Sequence, residues 1–319
     1  LAFALASRAL AGTAPDATRI GEITGLPAEV ADGVVKVSKP RGDIHPVVDG
    51  RALKPFQGLT SWAAFQASGE GAIVMGDVVL LEPEVNPAMS AALGAGLEVT
   101  ALHNHFFFDS PRVYFMHIGG GGEPDALARG VRAVLDAAAA APKADRFPGP
   151  TVASEDAIDP APLEEILGGR AQVKDGMAKF VFGRTARMHG ASVGAAMGVN
   201  TWATFAGTNS AAVVDGDVAM LESELQGVLR ALLAANVYVV AIHSHMAHEE
   251  PRIVFLHYWG KGPAADLARG IRAARAVRWS PSEPMFHARA PTSRPATRED
   301  WDSTSARWRK PRNAAAAMR

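Results

Sequence analysis

Six of the ten histidines fall into one pattern that occurs twice, His103-x-His105-x11-His117 and His243-x-His245-x11-His257. Neutral imidazole suits Zn²⁺, Cu²⁺, Fe²⁺ and Ni²⁺, and a set of three leaves a coordination position open for water or a substrate. Residues alternate faces along a strand, so His103 and His105 point the same way if their segment is extended. A second strand returning after a short loop can bring His117 beside them. The spacing therefore predicts a divalent transition metal in each copy, Zn²⁺ first, with Cu²⁺, Fe²⁺ or Ni²⁺ open.

Charged residues adjoin both sets. Asp109 in the first, and Glu249 or Glu250 in the second, lie between the outer histidines. They could be a further ligand, a partner that orients a ring, or a general base. Arg112 and Arg252 follow at once and could grip a carboxylate or phosphate in bidentate fashion. In an enzyme, the set reads as a metal-dependent hydrolase acting on a small anionic substrate, with Asp109 or Glu249 moving the proton. Two other readings compete: histidines that form structural hydrogen bonds, and a non-catalytic tandem domain that binds a small ligand or a partner. His45, His189, His248 and His287 have no counterpart in the pattern and are not taken as ligands.

The elements that must hold these residues are themselves duplicated. Sliding the chain by 140 residues aligns Trp62–Arg132 with Trp202–Arg272 without a gap, giving 29 identities in 71 positions. Upstream the offset becomes 143, placing Asp32-Gly33 on Asp175-Gly176 and Arg41 on Arg184. Two copies of one unit follow, 17–141 and 163–278, joined by a proline-rich polar linker over 142–162. In each, a hairpin flanking Gly69-Glu70-Gly71 precedes a helix over Glu84–Ala95. Strands over Leu97–His105 and Arg112–Ile118 and a helix over Asp125–Ala141 complete the unit. The order β-β-α-β-β-α predicts an α+β fold. Two mostly antiparallel sheets, each with helices on one face, would be related by a pseudo-two-fold axis.

Other duplicated residues have local readings. Trp62/Trp202 and Phe65/Phe205 read as core, with an aromatic pocket wall as the alternative. Asp77 and Asp217 follow glycine and read as turn or bulge residues. Glu82 and Glu222 read as helix-starting acids, and Gly119–Gly122 as a loop that could bind an anion at the next helix.

Composition sets the outer limits. The 319 residues carry 32 basic and 33 acidic side chains, a net charge of −1, so no global charge points to nucleic acid or to an anionic membrane. Cysteine is absent, which excludes disulfides, thiolate metal sites and a cysteine nucleophile. No apolar run reaches the ~18 residues of a membrane span. Leu1–Gly12 reads either as the end of a secretory leader or as an amphipathic turn. Residues 279–319, rich in Arg, Pro, Ser and Ala, read as a disordered basic tail.

Several segments resemble the LppY/LpqO lipoprotein family: Val99-Thr-Ala-Leu-His-Asn-His105, Ser110-Pro-Arg112, Phe115-Met-His-Ile-Gly119, Met197-Gly-Val-Asn200, Met75-Gly-Asp-Val78 and Glu84-Val-Asn-Pro87. The resemblance spans about residues 20–278. It implies a bacterial cell-envelope protein, exported to the periplasm or beyond, built on a domain of unknown function commonly present in two copies. It implies no established reaction, and this chain has no cysteine to carry a lipid. Shorter likenesses exist too. His243-x-His245-x3-Glu249 is similar to the cupin metal motif without its later glycine. Ala241-Ile-His-Ser-His245 is similar to the JAMM metalloprotease motif without the Pro, Ser and Asp that follow it.

Overall fold

The computed structural model describes residues 15–69 and 71–277. The leader or turn read into Leu1–Gly12, and the basic tail over 279–319, lie outside the described residues.

The first repeat runs α1 (Ala17–Thr24), β1 (Ala28–Ala31), β2 (Val34–Pro40), β3 (Val47–Val48), β4 (Arg51–Ala52), β5 (Thr60–Ser68) and β6 (Gly71–Leu81), then α2 (Glu82–Gly94), β7 (Glu98–His103), β8 (Val113–Gly122) and α3 (Pro124–Ala140). The second runs α4 (Ala161–Leu167), β9 (Gln172–Lys174), β10 (Met177–Gly183), β11 (Ala186–Met188), β12 (Ala191–Val193), β13 (Asn200–Gly207) and β14 (Ala212–Leu221), then α5 (Leu225–Ala234), β15 (Tyr238–His243), β16 (Ile253–Gly262) and α6 (Ala264–Ala276). The fold is α+β with a mostly antiparallel sheet. Each repeat is larger than the six elements expected, because a helix and two hairpins precede them. No described helix is long and apolar enough to cross a membrane.

The two expected sheets are one. Twelve strands run in the order β1-β2-β5-β6-β8-β7-β15-β16-β14-β13-β10-β9. The halves meet where β7 pairs antiparallel with β15, Leu102 opposite Ile242. Side chains extend this short junction reciprocally. Gln226 of α5 accepts from Val99 N at 3.0 Å and donates to Val99 O at 3.0 Å. Its counterpart Asn86 of α2 accepts from Val239 N at 3.3 Å. Each copy thus supplies the partner for the other's backbone, as buried N–H and C=O groups require.

One face of the sheet carries the helices and the main core, with Phe65, Val78, Met116 and Leu127 in one half and Phe180, Phe205, Leu256 and Leu267 in the other. Each such side chain, fully buried, contributes roughly 1.5–3 kcal/mol. The opposite face is covered only at one end of each half. There Ile44, Leu59, Val79, Val113 and Phe115 cluster in the first copy, and Ala186, Val193, Val199, Ala219, Ile253 and Phe255 in the second. Beyond these clusters the face is open, with Met75 64% exposed.

A duplicated ion pair fixes the corner from β6 into α2. Buried Arg41 grips Glu84 through two hydrogen bonds of 2.8 and 2.9 Å and donates to Val79 O at 2.6 Å. Glu84 also accepts from Leu81 N at 2.9 Å and so caps the helix that Glu82 begins, as expected of a first-turn acid. Arg184 and Glu224 repeat the contact at 2.6 Å, and Glu224 accepts from Leu221 N. The glycine run expected as an anion loop is strand instead. Gly119–Gly122 pair with Met75–Ala72 across β8 and β6, which commits that backbone to the ladder. Phe65 and Phe205 are core, whereas Trp62 and Trp202 are half-buried on the other face, each beneath a lysine, Lys36 or Lys179.

Candidate metal centre

Register and one irregularity place the histidines. In β7 the pairing with β8 runs Val99 opposite Ile118, then Ala101 opposite His117 and His103 opposite Phe115. The extra residue, Thr100, reverses the alternation, so Val99 enters the core while Ala101 and His103 turn to the other face. The same shift between Val239 and Ala241 re-aims His243. His105 and His245 lie just past the strand ends rather than within strands as the spacing suggested. They reach the same place because each ring lies flat on a phenylalanine floor, His105 on Phe115 at 3.3 Å and His245 on Phe255 at 3.5 Å between centroids.

All three rings of each copy come together. His103 is the hub of the first, its centroid 5.1 Å from His105 and 5.0 Å from His117. His243 is the hub of the second, 5.0 Å from His245 and 4.8 Å from His257. The nitrogens face one another: Nε2 of His103 and Nε2 of His117 stand 2.9 Å apart, and Nε2 of His243 and Nε2 of His245 stand 3.0 Å apart. His257 Nδ1 lies 3.2 Å from Gly216 O, and donating there leaves its Nε2 lone pair free.

A fourth member was missed. Asp77 lies opposite His117 in β6, and Asp217 opposite His257 in β14, neither in a turn. The preceding glycine has a packing reason. A Cβ at Gly216 would collide with Trp202 O and the Tyr258 hydroxyl, which donates to Trp202 O at 3.0 Å. Asp217 Oδ1 accepts from Leu256 N at 3.1 Å, while its Oδ2 lies 3.5 Å from His245 Nε2. Ligand atoms of Asp217, His243 and His245 all lie within 4.8 Å of one another. The duplicated Gly-Asp-Val, inside an alternating apolar run, was the available signal.

The electrostatics agree with one shared site in each copy. Burial pushes the Asp77 carboxyl above the usual range, opposed by His117, His105 and His103. Burial does the same to Asp217, opposed by His257, His245 and His243. Burial also pushes His105 and His243 down, opposed by Asp77 and Asp217. The downward shift of His105 and His243 favours the imidazole form that a cation requires, and a bound cation would offset the cost of the buried carboxylates. Two buried polar atoms here, Asp77 Oδ1 and His243 Nδ1, have no hydrogen-bond partner.

Asp109 and Glu249 each hold a main-chain N–H in this structure. Asp109 accepts from Val113 N at 2.7 Å and Glu249 from Ile253 N at 3.0 Å, each closing its loop onto the strand that follows. Asp109 bears electrostatically on Tyr114, and Glu249 on Arg252 and His248. Arg112 and Arg252 are exposed, and Arg252 donates to Ser244 Oγ at 3.2 Å, between two ligand candidates.

A family model described as Domain of Unknown Function (DUF1259) matches residues 18–137 and again residues 161–277. No curated protein matches. Among solved structures, the trimeric bacterial microcompartment shell protein PduB aligns over 77% of this chain and 88% of that chain. Its identity of 12% and TM-score of 0.20 are too low for that likeness to carry an argument.

Proposed function

The chain belongs to the family of that uncharacterised domain, in two tandem copies, and we propose that each copy holds a divalent transition metal. The donors would be His103, His105, His117 and Asp77 in the first, and His243, His245, His257 and Asp217 in the second. The reading rests on one observation: in both copies three imidazole rings gather on the open face of the sheet with a buried aspartate on the neighbouring strand, and in the second copy ligand atoms of Asp217, His243 and His245 lie within 4.8 Å of one another.

The residues fit such an ion. Two nitrogens bound at about 2.0–2.1 Å stand roughly 2.9 Å apart at a right angle and roughly 3.3 Å apart in a tetrahedral set. The observed 2.9 and 3.0 Å need little adjustment to either. The unpartnered Asp77 Oδ1 and the free Nε2 of His257 supply further donor capacity. When bound, the cation would act as a Lewis acid toward an anionic or carbonyl oxygen. Phe115 and Phe255 hold the His105 and His245 rings in place, and Arg252, hydrogen-bonded to Ser244 between two of the rings, stands where it would hold a small anion, whereas Arg112 bears on Tyr114. Hydrolysis would need a proton carrier, and Asp109 and Glu249 are engaged with main-chain N–H groups. The reading is therefore metal binding with ligand capture, in an exported or envelope-associated setting that cell fractionation would test.

The alternative of structural histidines draws support from the same Nε2–Nε2 contacts, since two neutral rings can share one hydrogen bond. Titration of the full chain with Zn²⁺ by calorimetry separates the two. Two sites are expected, with His103→Ala and His243→Ala each removing one. A chain that takes up none of Zn²⁺, Cu²⁺, Fe²⁺ or Ni²⁺ refutes the proposal.

A further inference from the structure

The first copy carries an aromatic rim; at the matching turn its duplicate exposes Met197, at 68%, as its only large apolar side chain. Phe56, Phe107 and Phe108 are 103%, 85% and 92% exposed. Large apolar side chains left in water together are the informative exception on a protein surface. They belong to two segments packed on each other. Val47 and Ser110 exchange backbone hydrogen bonds of 2.9 and 3.0 Å, and Leu53 and Phe106 pack against the same small apolar cluster. Gly58 lies against His105, with 3.9 Å from its Cβ position to Nδ1.

The exposed charges of these segments are Arg51, Lys54 and Arg112 against Asp49 and Asp43, the latter ion-paired with Arg41, while Asp109 is buried on Val113 N. The second copy keeps the histidines and drops the rim. At the offset of 140, Phe56, Phe107 and Phe108 become Ala196, Ala247 and His248, and Arg51 and Lys54 become Ala191 and Gly194. The fold therefore does not need these side chains, since the same loops form without them.

We infer that this rim is a docking surface for an anionic lipid bilayer. Side chains so fully exposed line no pocket, whereas aromatic loop tips can sink into the headgroup boundary while flanking cations meet anionic headgroups. The one-sided rim gives the docked protein an orientation, with the first copy against the lipid and His105 beside it. The inference is independent of whether a metal is bound.

The test is co-sedimentation of the full chain with vesicles of phosphatidylcholine alone or mixed with phosphatidylglycerol. The mixed vesicles should bind at least tenfold more tightly. Phe107→Ala combined with Phe108→Ala, and separately Arg51→Glu combined with Lys54→Glu, should each weaken that binding tenfold or more. Ala247→Phe combined with His248→Phe should not weaken it. Failure of the parent chain to sediment with mixed vesicles overturns the inference. So does unchanged binding of the phenylalanine variant, which would place any attraction in basic residues elsewhere.

Discussion

Replacing Asp217 with Asn should change the sign of its effect when metal is added. Asp217 is 3% exposed, and burial raises its carboxyl pKa, so its charge is unfavourable in the metal-free protein at neutral pH. Asparagine keeps the acceptor for Leu256 N and removes that charge. A buried polar group without full compensation costs about 1–3 kcal/mol, so metal-free Asp217→Asn should be more stable by on the order of 1 kcal/mol. With metal at 100 times its dissociation constant, each site adds about 2.7 kcal/mol to the parent chain, about 5 kcal/mol for two. A hundredfold loss of affinity at one site leaves it about 0.4 kcal/mol, so the gain falls to about 3 kcal/mol. At roughly 2–4 °C per kcal/mol for a domain of this size, thermal melting with and without Zn²⁺ resolves the difference. Asp77→Asn should behave alike, and the double variant should lose nearly the whole metal-induced shift. An Asp217→Asn chain that melts below the parent without metal, yet shifts as far with it, would refute the reasoning.

Two further perturbations probe the frame. Arg41→Met strands Glu84 in a buried position, and breaking a buried pair this way should cost about 3–5 kcal/mol in chemical denaturation; a cost under 1 kcal/mol would show the pair to be dispensable. Glu249→Gln should preserve metal affinity within about twofold, while Glu249→Ala, leaving Ile253 N without its acceptor, should lose about 1–3 kcal/mol. Burial raises the Glu249 carboxyl, but the N–H groups of Ile253 and of Glu249 itself, with the charges of Arg252 and His248, together outweigh it and hold the pKa below the ordinary 4.5. The folded state then binds fewer protons than the unfolded state. Its stabilisation is complete above the ordinary value and is lost as pH falls through the folded one. Denaturation across pH 3–6 should show this acid sensitivity in the parent chain and its reduction in Glu249→Gln.

The histidine pattern was legible because it depends on residue type and on the two-residue period of strands. Its aim was not. A single inserted residue, Thr100, decides which face His103 takes, and nothing in Val99-Thr-Ala-Leu-His103 marks it as a bulge. Asp77 and Asp217 were hidden behind glycines that look like turn residues, although Gly216 is small to admit Tyr258 and the Trp202 carbonyl. The glycine run Gly119–Gly122 misled in the opposite way, because its strand character comes from pairing with β6 rather than from its own propensity. The central helices and the hairpin of β5 and β6 showed in composition and turn residues. In the upstream hairpins the outer strands Ala28–Ala31 and Gln172–Lys174 are short and bury no residue, although Val34–Pro40 and Met177–Gly183 alternate over seven residues, a pattern legible in the sequence. The merging of the two sheets rests on one paired position, Leu102 with Ile242, on packing of β7 with β15 and α2 with α5, and on amide bridges from Gln226 and Asn86.

Anomalous diffraction from crystals of the full chain grown with Zn²⁺ examines the metal centres themselves. The account predicts two peaks per chain. One should lie within about 2.0–2.1 Å of ring nitrogens of His103, His105 and His117 and beside Asp77, and the other should be placed alike among His243, His245, His257 and Asp217. Peaks confined to surface carboxylates, or rings still hydrogen-bonded to one another at saturating Zn²⁺, would contradict it.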